Sequence, residues 1–185
     1  MEIYKKSYIY LRKKILPMET IVGLIPNESN ILDIGCGKGI VLDSLNYFKK
    51  YVGVDHATNN YKKNKGKIEF IKEDCFKYLK RDCTNFNVFI VIDLIHHIKK
   101  NEQEAFLNNL VNIMKNGDLL ILKDINPKNI ITKYWNFIHD LLVSKQIINY
   151  FDFEKYKETK SKRYSIKTFY KRIFFYDHYF FILKK

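Results

Sequence analysis

The sequence predicts an α/β protein built on a doubly wound, mostly parallel sheet. Three observations carry that expectation. Apolar strand-like runs alternate with helical patterns over about 100 residues, and such alternation gives parallel strands joined by right-handed crossovers. A run holding three of the chain's seven glycines, Ile31-Leu32-Asp33-Ile34-Gly35-Cys36-Gly37-Lys38-Gly39, reads as a strand, a tight turn and a helix start. Two apolar runs near the C terminus, Ile173 to Tyr176 and Tyr179 to Leu183, read as strands joined at Asp177-His178. A chain of 185 residues suits one domain with a sizeable core.

Residues 1–28 read as a helix or helix pair, with Tyr4, Tyr8, Leu11 and Ile15 at helical steps and Pro17 and Pro26 as punctuation. After the glycine turn, residues 40–49 read as an amphipathic helix with Val41, Leu42, Leu45 and Phe48 inward. Tyr51 to Asp55 is a second buried strand, ending in a carboxylate about 20 residues past the first glycine, where an acidic side chain can accept from ribose hydroxyls. Ile68 to Ile71 is a third strand, followed by Glu73, Asp74 and Cys75; Asp74 also stands where an N-cap would. Phe86 to Asp93 is nearly continuous apolar, as a central parallel strand covered on both faces should be. Asp93-Leu94-Ile95-His96-His97-Ile98 follows at its carboxyl end, where open α/β sheets gather ligand sites.

Residues 101–114 read as the next helix and Leu119 to Leu122 as the fifth strand, ending in Lys123-Asp124. A long helical pattern from Ile130 to Tyr150 carries Trp135, Phe137 and His139. Residues 154–163 read as an exposed loop and a short helix is expected from about Ser165.

Composition narrows the function classes. The balance of 46% hydrophobic and 29% charged residues is that of a globular protein. Cys36, Cys75 and Cys83 show no paired spacing, so neither a disulfide framework nor a zinc site is indicated and a cytoplasmic location is the simpler reading. No stretch of about 18 residues lacks a charge, which leaves no membrane span. A formal net charge of +13 points toward nucleic acid, yet among 33 basic residues arginine stands only at Arg12, Arg81, Arg163 and Arg172. Arginine is the residue that forks onto phosphates and reads bases, so its scarcity lowers that reading without removing it. The adjacent His96 and His97 point in different directions and no third ligand shows a spacing match, so no metal is expected.

The glycine turn fits the dinucleotide fingerprint imperfectly, because the third glycine comes one residue early. The pattern D-x-G-x-G-x-G, from Asp33 through Gly39, resembles motif I of the class I S-adenosylmethionine-dependent methyltransferases, and Asp55, Asp74 and the Asp93 to His97 segment follow in that family's order. The resemblance is specific over residues 29–124 and architectural beyond. It implies a seven-stranded sheet of order 3-2-1-4-5-7-6 with helices on both faces and a C-terminal antiparallel hairpin. It further implies a single methyltransferase domain over 1–185, with an N-terminal helical cover (1–28), a cofactor-binding half (29–124), and a substrate-side helix with the hairpin (125–185).

The implied cofactor is S-adenosyl-L-methionine, leaving S-adenosyl-L-homocysteine as product. By the same resemblance Asp33 lies near the amino end of the methionine moiety, Gly35, Cys36, Gly37 and Gly39 pass under the ligand, and Asp55 takes the ribose hydroxyls. His56 falls beside the adenine, where the family usually has an apolar side chain; Asp74 and the Cys75 backbone fall at the adenine edge, and Asp93 at the methyl-bearing end. His96, His97 and His139 are the candidate catalytic groups, with Asp93 and Asp124 as further possible bases. The expected acceptor is a small or carrier-linked molecule of sugar or lipid type. An RNA acceptor, or a protein that binds the cofactor without catalysis, is the alternative.

Overall fold

The computed structural model describes residues 14–58, 65–81, 83–126 and 148–185. Helix α1 (Met18–Gly23) precedes β1 (Ser29–Ile34), a 3₁₀ turn at Leu42–Ser44, β2 (Phe48–Val54) and β3 (Ile68–Ile71). Then come α2 (Cys75–Tyr78), β4 (Val88–Ile92), a 3₁₀ turn at Ile95–His97, α3 (Gln103–Ile113) and β5 (Leu119–Ile125). The chain closes with α4 (Phe153–Lys160), β6 (Ser165–Ile173) and β7 (Tyr176–Lys184). The seven strands form one sheet in the order β3-β2-β1-β4-β5-β7-β6, as expected. All pairings from β3 to β5 are parallel, and β7 runs antiparallel to both β5 and β6.

Strand alternation splits the core into two layers. Leu32, Val52, Phe89, Val91, Leu120 and Leu122 face one side and pack with Phe106, Leu107 and Leu110 of α3 and with Phe153 and Tyr156 of α4. Ile31, Tyr51, Ile90, Ile121 and Phe180 face the other, against Leu16, Ile21, Ile25 and Leu42. Every side chain of β4 is buried, which is why its sequence is continuously apolar rather than alternating.

Four expectations are corrected. Residues 40–49 do not form a helix: a single 3₁₀ turn spans Leu42–Ser44, Leu45 is already extended (ψ 130°), and β2 begins at Phe48. Val41, Leu42 and Phe48 are buried as their pattern demands. Asp43, Ser44 and Asn46 are residues that compete with helix hydrogen bonding, and Phe48 is held in the sheet edge-on to Tyr51 and beneath the Lys67 ammonium, 4.1 Å from its ring centre.

Residues 154–163 are not simply a loop, because α4 occupies most of them. Asp152 caps it by accepting from the Lys155 N–H at 3.1 Å, and Phe153 and Tyr156 bury one side. The stretch from Ser165 is strand β6, not helix. The turn of the hairpin lies at Phe174-Phe175 instead of Asp177-His178, since Ile173 pairs with Tyr176. Asp177 carries the turn-type side chain, but Asn126 claims it, donating both to its backbone oxygen (3.0 Å) and to its carboxylate (3.0 Å). The expected helix at 130–150, with Trp135, Phe137 and His139, falls largely outside the described residues, as do residues 1–13.

Candidate active site

The carboxyl ends of β1 through β5 converge on one edge of the sheet, and most of the residues singled out above lie there. The glycine turn leaves β1 and is stitched to β2: the Gly35 and Cys36 N–H groups donate to the Val54 carbonyl at 2.8 and 3.2 Å, and Gly39 N–H closes the turn on the Cys36 carbonyl at 2.8 Å. Asp55, just past β2, accepts from Gly37 N–H at 3.0 Å and from Ala57 N–H at 2.7 Å, so its carboxylate anchors the turn from below.

The glycines have separate reasons. Gly35 has φ +75° and a Cβ there would meet the Leu94 side chain at 2.9 Å, so the turn packs directly on the segment after β4. Gly37 has φ +52° and nothing within 4 Å of where a Cβ would stand, leaving open space above the backbone beside the Asp55 carboxylate. That opening is the cradle a cofactor would need. Gly53 makes room from the other side, since a Cβ there would sit 2.8 Å from Cys36 Sγ. Cys36 therefore points into the core; burial pushes its thiol far above the usual range, as burial pushes the Cys75 thiol up to about 12, and neither is a nucleophile.

Asp33 is 1% exposed and accepts from the Tyr51 hydroxyl at 2.5 Å. Burial raises its carboxyl to about 7, with the Tyr51 hydrogen bond opposing and the nearby Asp55 charge adding to the rise. His56 is exposed, 3.7 Å from Asp55. Asp74 caps α2, accepting from Lys77 N–H at 3.0 Å, and Cys75 begins that helix with Sγ 3.8 Å from the Val54 carbonyl.

Past β4 the geometry changes character. Asp93 takes φ +52°, an uncommon conformation for a residue other than glycine, and receives the Lys123 ammonium at 2.6 Å. Lys123 lies in β5 and is 2% exposed. Its neighbour Asp124 faces the opposite side of the sheet, where its carboxylate meets His96 Nδ1 at 2.5 Å and accepts from His96 N–H at 3.3 Å. His97 stacks obliquely on His96, ring centres 4.0 Å apart. Gln103 braces the segment by donating to the carbonyls of Ile95 (2.9 Å) and Asn149 (2.6 Å), while Asn149 N–H donates to the His96 carbonyl at 2.9 Å.

Sequence reasoning missed Lys123 and Gln103 as parts of this site. A lysine interrupting an apolar central strand is the signal that could have found the first; nothing in the pattern marks the second. His139 lies outside the described residues. Donor atoms of Asp93, His96 and Asp124 lie within 4.8 Å of one another. The Lys123 ammonium already sits on Asp93, so the positive charge a metal would bring is supplied by the chain itself.

A family model described as a methyltransferase domain matches residues 7–159. The chain belongs to the class I S-adenosylmethionine-dependent methyltransferase family, and S-adenosylmethionine is its cofactor. No curated protein matches the sequence. Among solved structures, an S-adenosylmethionine-dependent methyltransferase from Archaeoglobus fulgidus aligns with a TM-score of 0.71 at 18% identity, covering 97% of this chain and 99% of that one. The N-methyltransferase NodS from Bradyrhizobium japonicum WM9, in complex with S-adenosyl-L-homocysteine, aligns at 0.64 with 13% identity over 94% of this chain and 86% of that one. Magnesium protoporphyrin IX methyltransferase from Synechocystis PCC 6803, also with S-adenosyl-L-homocysteine bound, aligns at 0.65 with 17% identity over 100% and 94%. At these identities the likeness is one of fold. Among the described residues no helix is long and apolar enough to cross a membrane.

Proposed function

We propose that this methyltransferase passes the methyl group to a small or carrier-linked acceptor, of sugar or lipid type, whose nucleophile is prepared by His96. The observation that carries the reading is the buried contact of His96 Nδ1 with Asp124 at 2.5 Å, set at the catalytic edge of the sheet. A carboxylate on Nδ1 fixes the imidazole tautomer and stabilises the ring when it takes a proton, which suits an acceptor hydroxyl or amine that must lose one. Asp124 acts through His96 as a positioning residue, held in turn by the Ile125 N–H at 2.7 Å.

In this reading the open space at Gly37 receives the cofactor between Gly35, Cys36 and Gly39, with Asp55 accepting from ribose hydroxyls and Asp74 and the Cys75 backbone at the adenine edge beside His56. Asp33 is near the amino end and Asp93 near the methyl-bearing end. When bound, the cofactor supplies an electrophilic methyl on a sulfonium. The residues of this chain bind, orient and keep water away, which is most of what an in-line displacement needs. Domain limits follow as proposed: cover 1–28, cofactor half 29–124, acceptor side 125–185, in a cytoplasmic protein. The name of the structural neighbour that methylates magnesium protoporphyrin IX supports an acceptor of small-molecule size.

The test is a transfer assay with methyl-labelled S-adenosylmethionine against phenolic, amine, sugar and lipid-linked acceptors, with tRNA and rRNA alongside. Incorporation into a small or lipid-linked compound is expected. Incorporation only into RNA, lost when Lys160, Lys162 and Lys167 are neutralised and steeply weakened by salt, would reverse the assignment. Tight cofactor binding with no transfer to any class would mark a binding protein.

A further inference from the structure

The hairpin closing the sheet breaks a local rule without any visible gain to the fold. Ile173 pairs with Tyr176, so Phe174 and Phe175 alone make the loop. Two-residue hairpin loops with positive φ at their first position are glycine sites, yet Phe174 stands there at φ +54°. Both rings are turned outward: Phe174 is 73% exposed and Phe175 64%. With Tyr170, they account for most of the large hydrophobic side chains exposed among the described residues. Solvent exposure of two adjacent phenylalanines, in a conformation that disfavours one of them, is what an interaction surface looks like before it is covered.

The surroundings say what covers it. Lys167, Lys171 and Arg172 along β6 are all exposed, and Arg172 Nε donates to the Phe174 carbonyl at 3.3 Å, which keeps a guanidinium at the base of the aromatic tip. Asp177, two residues past the loop and across the hairpin from Arg172, has its carboxylate on the Asn126 amide. The tip also has a direction. Because β7 is antiparallel to β5, pairing Ile125 with His178, the loop projects past the carboxyl end of β5, on the same edge as Asp93 and His96.

We infer that the β6–β7 tip docks on an anionic phospholipid surface, with Phe174 and Phe175 seated at the headgroup level and Lys171 and Arg172 facing the lipid phosphates. Aromatic rings with neighbouring cations suit that layer, and its negative potential attracts each added Lys or Arg. A narrow ribbon apex offers little of the roughly 800 Å² per partner that a standard protein interface needs, whereas entry into headgroups requires no matching surface. Docking in this way turns the cofactor edge of the sheet toward the bilayer. The inference stands on the hairpin alone and does not depend on which acceptor is methylated.

The test is cosedimentation of the full-length protein with vesicles of phosphatidylcholine, alone or mixed equally with phosphatidylglycerol. The natural sequence is expected to partition to the mixed vesicles about tenfold or more better than to the neutral ones, with the difference shrinking as salt rises. The double variant Phe174→Gly, Phe175→Asn should lose this binding. It places glycine at the positive φ, so its thermal unfolding and its calorimetric affinity for S-adenosylmethionine should be retained, showing that the loss is not misfolding. Lys171→Gln with Arg172→Gln should weaken binding to the mixed vesicles only. No binding by the natural sequence, equal binding by the Phe174→Gly, Phe175→Asn protein, or equal binding to neutral vesicles would overturn the inference. So would concentration-dependent self-association that the same double variant abolishes, because the tip would then be a protein contact.

Discussion

The two halves of the sheet's carboxyl edge hold their strand-end carboxylates in different ways. Past β2 and β3 the strand-end carboxylates are satisfied by backbone: Asp55 accepts from Gly37 and Ala57 N–H groups and Asp74 from Lys77 N–H, while the buried Asp33 within β1 takes the Tyr51 hydroxyl. Around β4 and β5, charges answer side chains: Asp93 holds Lys123 and Asp124 holds His96, with Lys123, His96 and Asp124 all inside. Backbone donors cost nothing extra to position, and they remain when a ligand arrives to share the acceptor. A buried ionic partner is a stricter arrangement, since removing one member leaves the other desolvated and unanswered. A carboxylate held by backbone N–H groups keeps lone pairs to share with a polar ligand, as the proposed function asks of Asp55, whereas paired side chains are fixed in one geometry, as it asks of His96.

Substitutions that break this contrast should have their largest effect on chemistry. His96→Asn is expected to lower kcat by about 10²- to 10⁴-fold, the usual worth of a positioned base, while leaving cofactor affinity near that of the natural protein. Asp124→Asn should give a smaller loss of kcat with cofactor affinity retained, because it changes which nitrogen of His96 is held. Unchanged kcat for His96→Asn on the acceptor found by transfer assay would leave positioning alone as the source of rate.

Next in size is stability. Lys123→Met should cost about 3 kcal/mol by leaving the Asp93 carboxylate partly buried beside an apolar chain, and adding Asp93→Asn should recover much of it. Denaturant unfolding of the two single variants and the double variant measures the coupling. Additive losses would show that the ion pair is incidental.

In the β1–β2 half the effects should appear in binding. Asp55→Ala is expected to weaken S-adenosylmethionine by about 1 to 3 kcal/mol, the scale of charge-assisted hydrogen bonds. Gly37→Val should take calorimetric binding below detection, since its side chain would enter the open space; at φ +52° it also strains the turn, so the melting temperature should fall while the transition stays cooperative. Normal affinity in that variant would mean the glycine only shapes the turn.

The same contrast explains what could be read before the structure. The glycine spacing of the Asp33 to Gly39 turn and the placing of Asp55 and Asp74 just past apolar strand-like runs are local patterns, legible in the sequence. Side-chain pairs join residues distant in the chain: His96 and Asp124 are 28 apart and Asp93 and Lys123 are 30 apart, and no local pattern announces such a meeting. Strand order was legible because parallel alternation leaves few topologies. Over 40–49 the helical spacing misleads, because Val41 and Leu42 are buried from a single 3₁₀ turn and Phe48 from the start of β2. The hairpin turn was misplaced because its loop residues, Phe174 and Phe175, are not turn formers, while Asp177 is.

In the natural protein the smallest expected effect concerns pH, where two buried groups pull in opposite directions. Asp33 sits in the β1–β2 half, and burial lifts its carboxyl from an ordinary value near 3.8 to about 7. The folded state therefore keeps a proton that the unfolded chain has released, and this group's contribution to stability is full below about 3.8 and is lost as pH rises toward 7. His178 sits at the β5–β7 side, its Nε2 2.9 Å from the Ile15 carbonyl. Burial first, and the Lys123 charge second, lower it from an ordinary 6.5 to about 3. There the unfolded chain takes up a proton first, so its contribution is full above about 6.5 and is lost as pH falls toward 3. Between about 4 and 6.5 the two slopes oppose, each at most about 1.4 kcal/mol per pH unit, and the natural protein should show a flat stability profile from this pair. Asp33→Asn removes one slope, so its stability should rise with pH across that window. His178→Gln, which keeps a donor for the Ile15 carbonyl, should show stability falling with pH instead. Denaturant midpoints taken at half-unit steps from pH 4 to 7 separate the two, and profiles that tilt the same way in both variants would show that one of these buried groups does not hold its proton as its surroundings require.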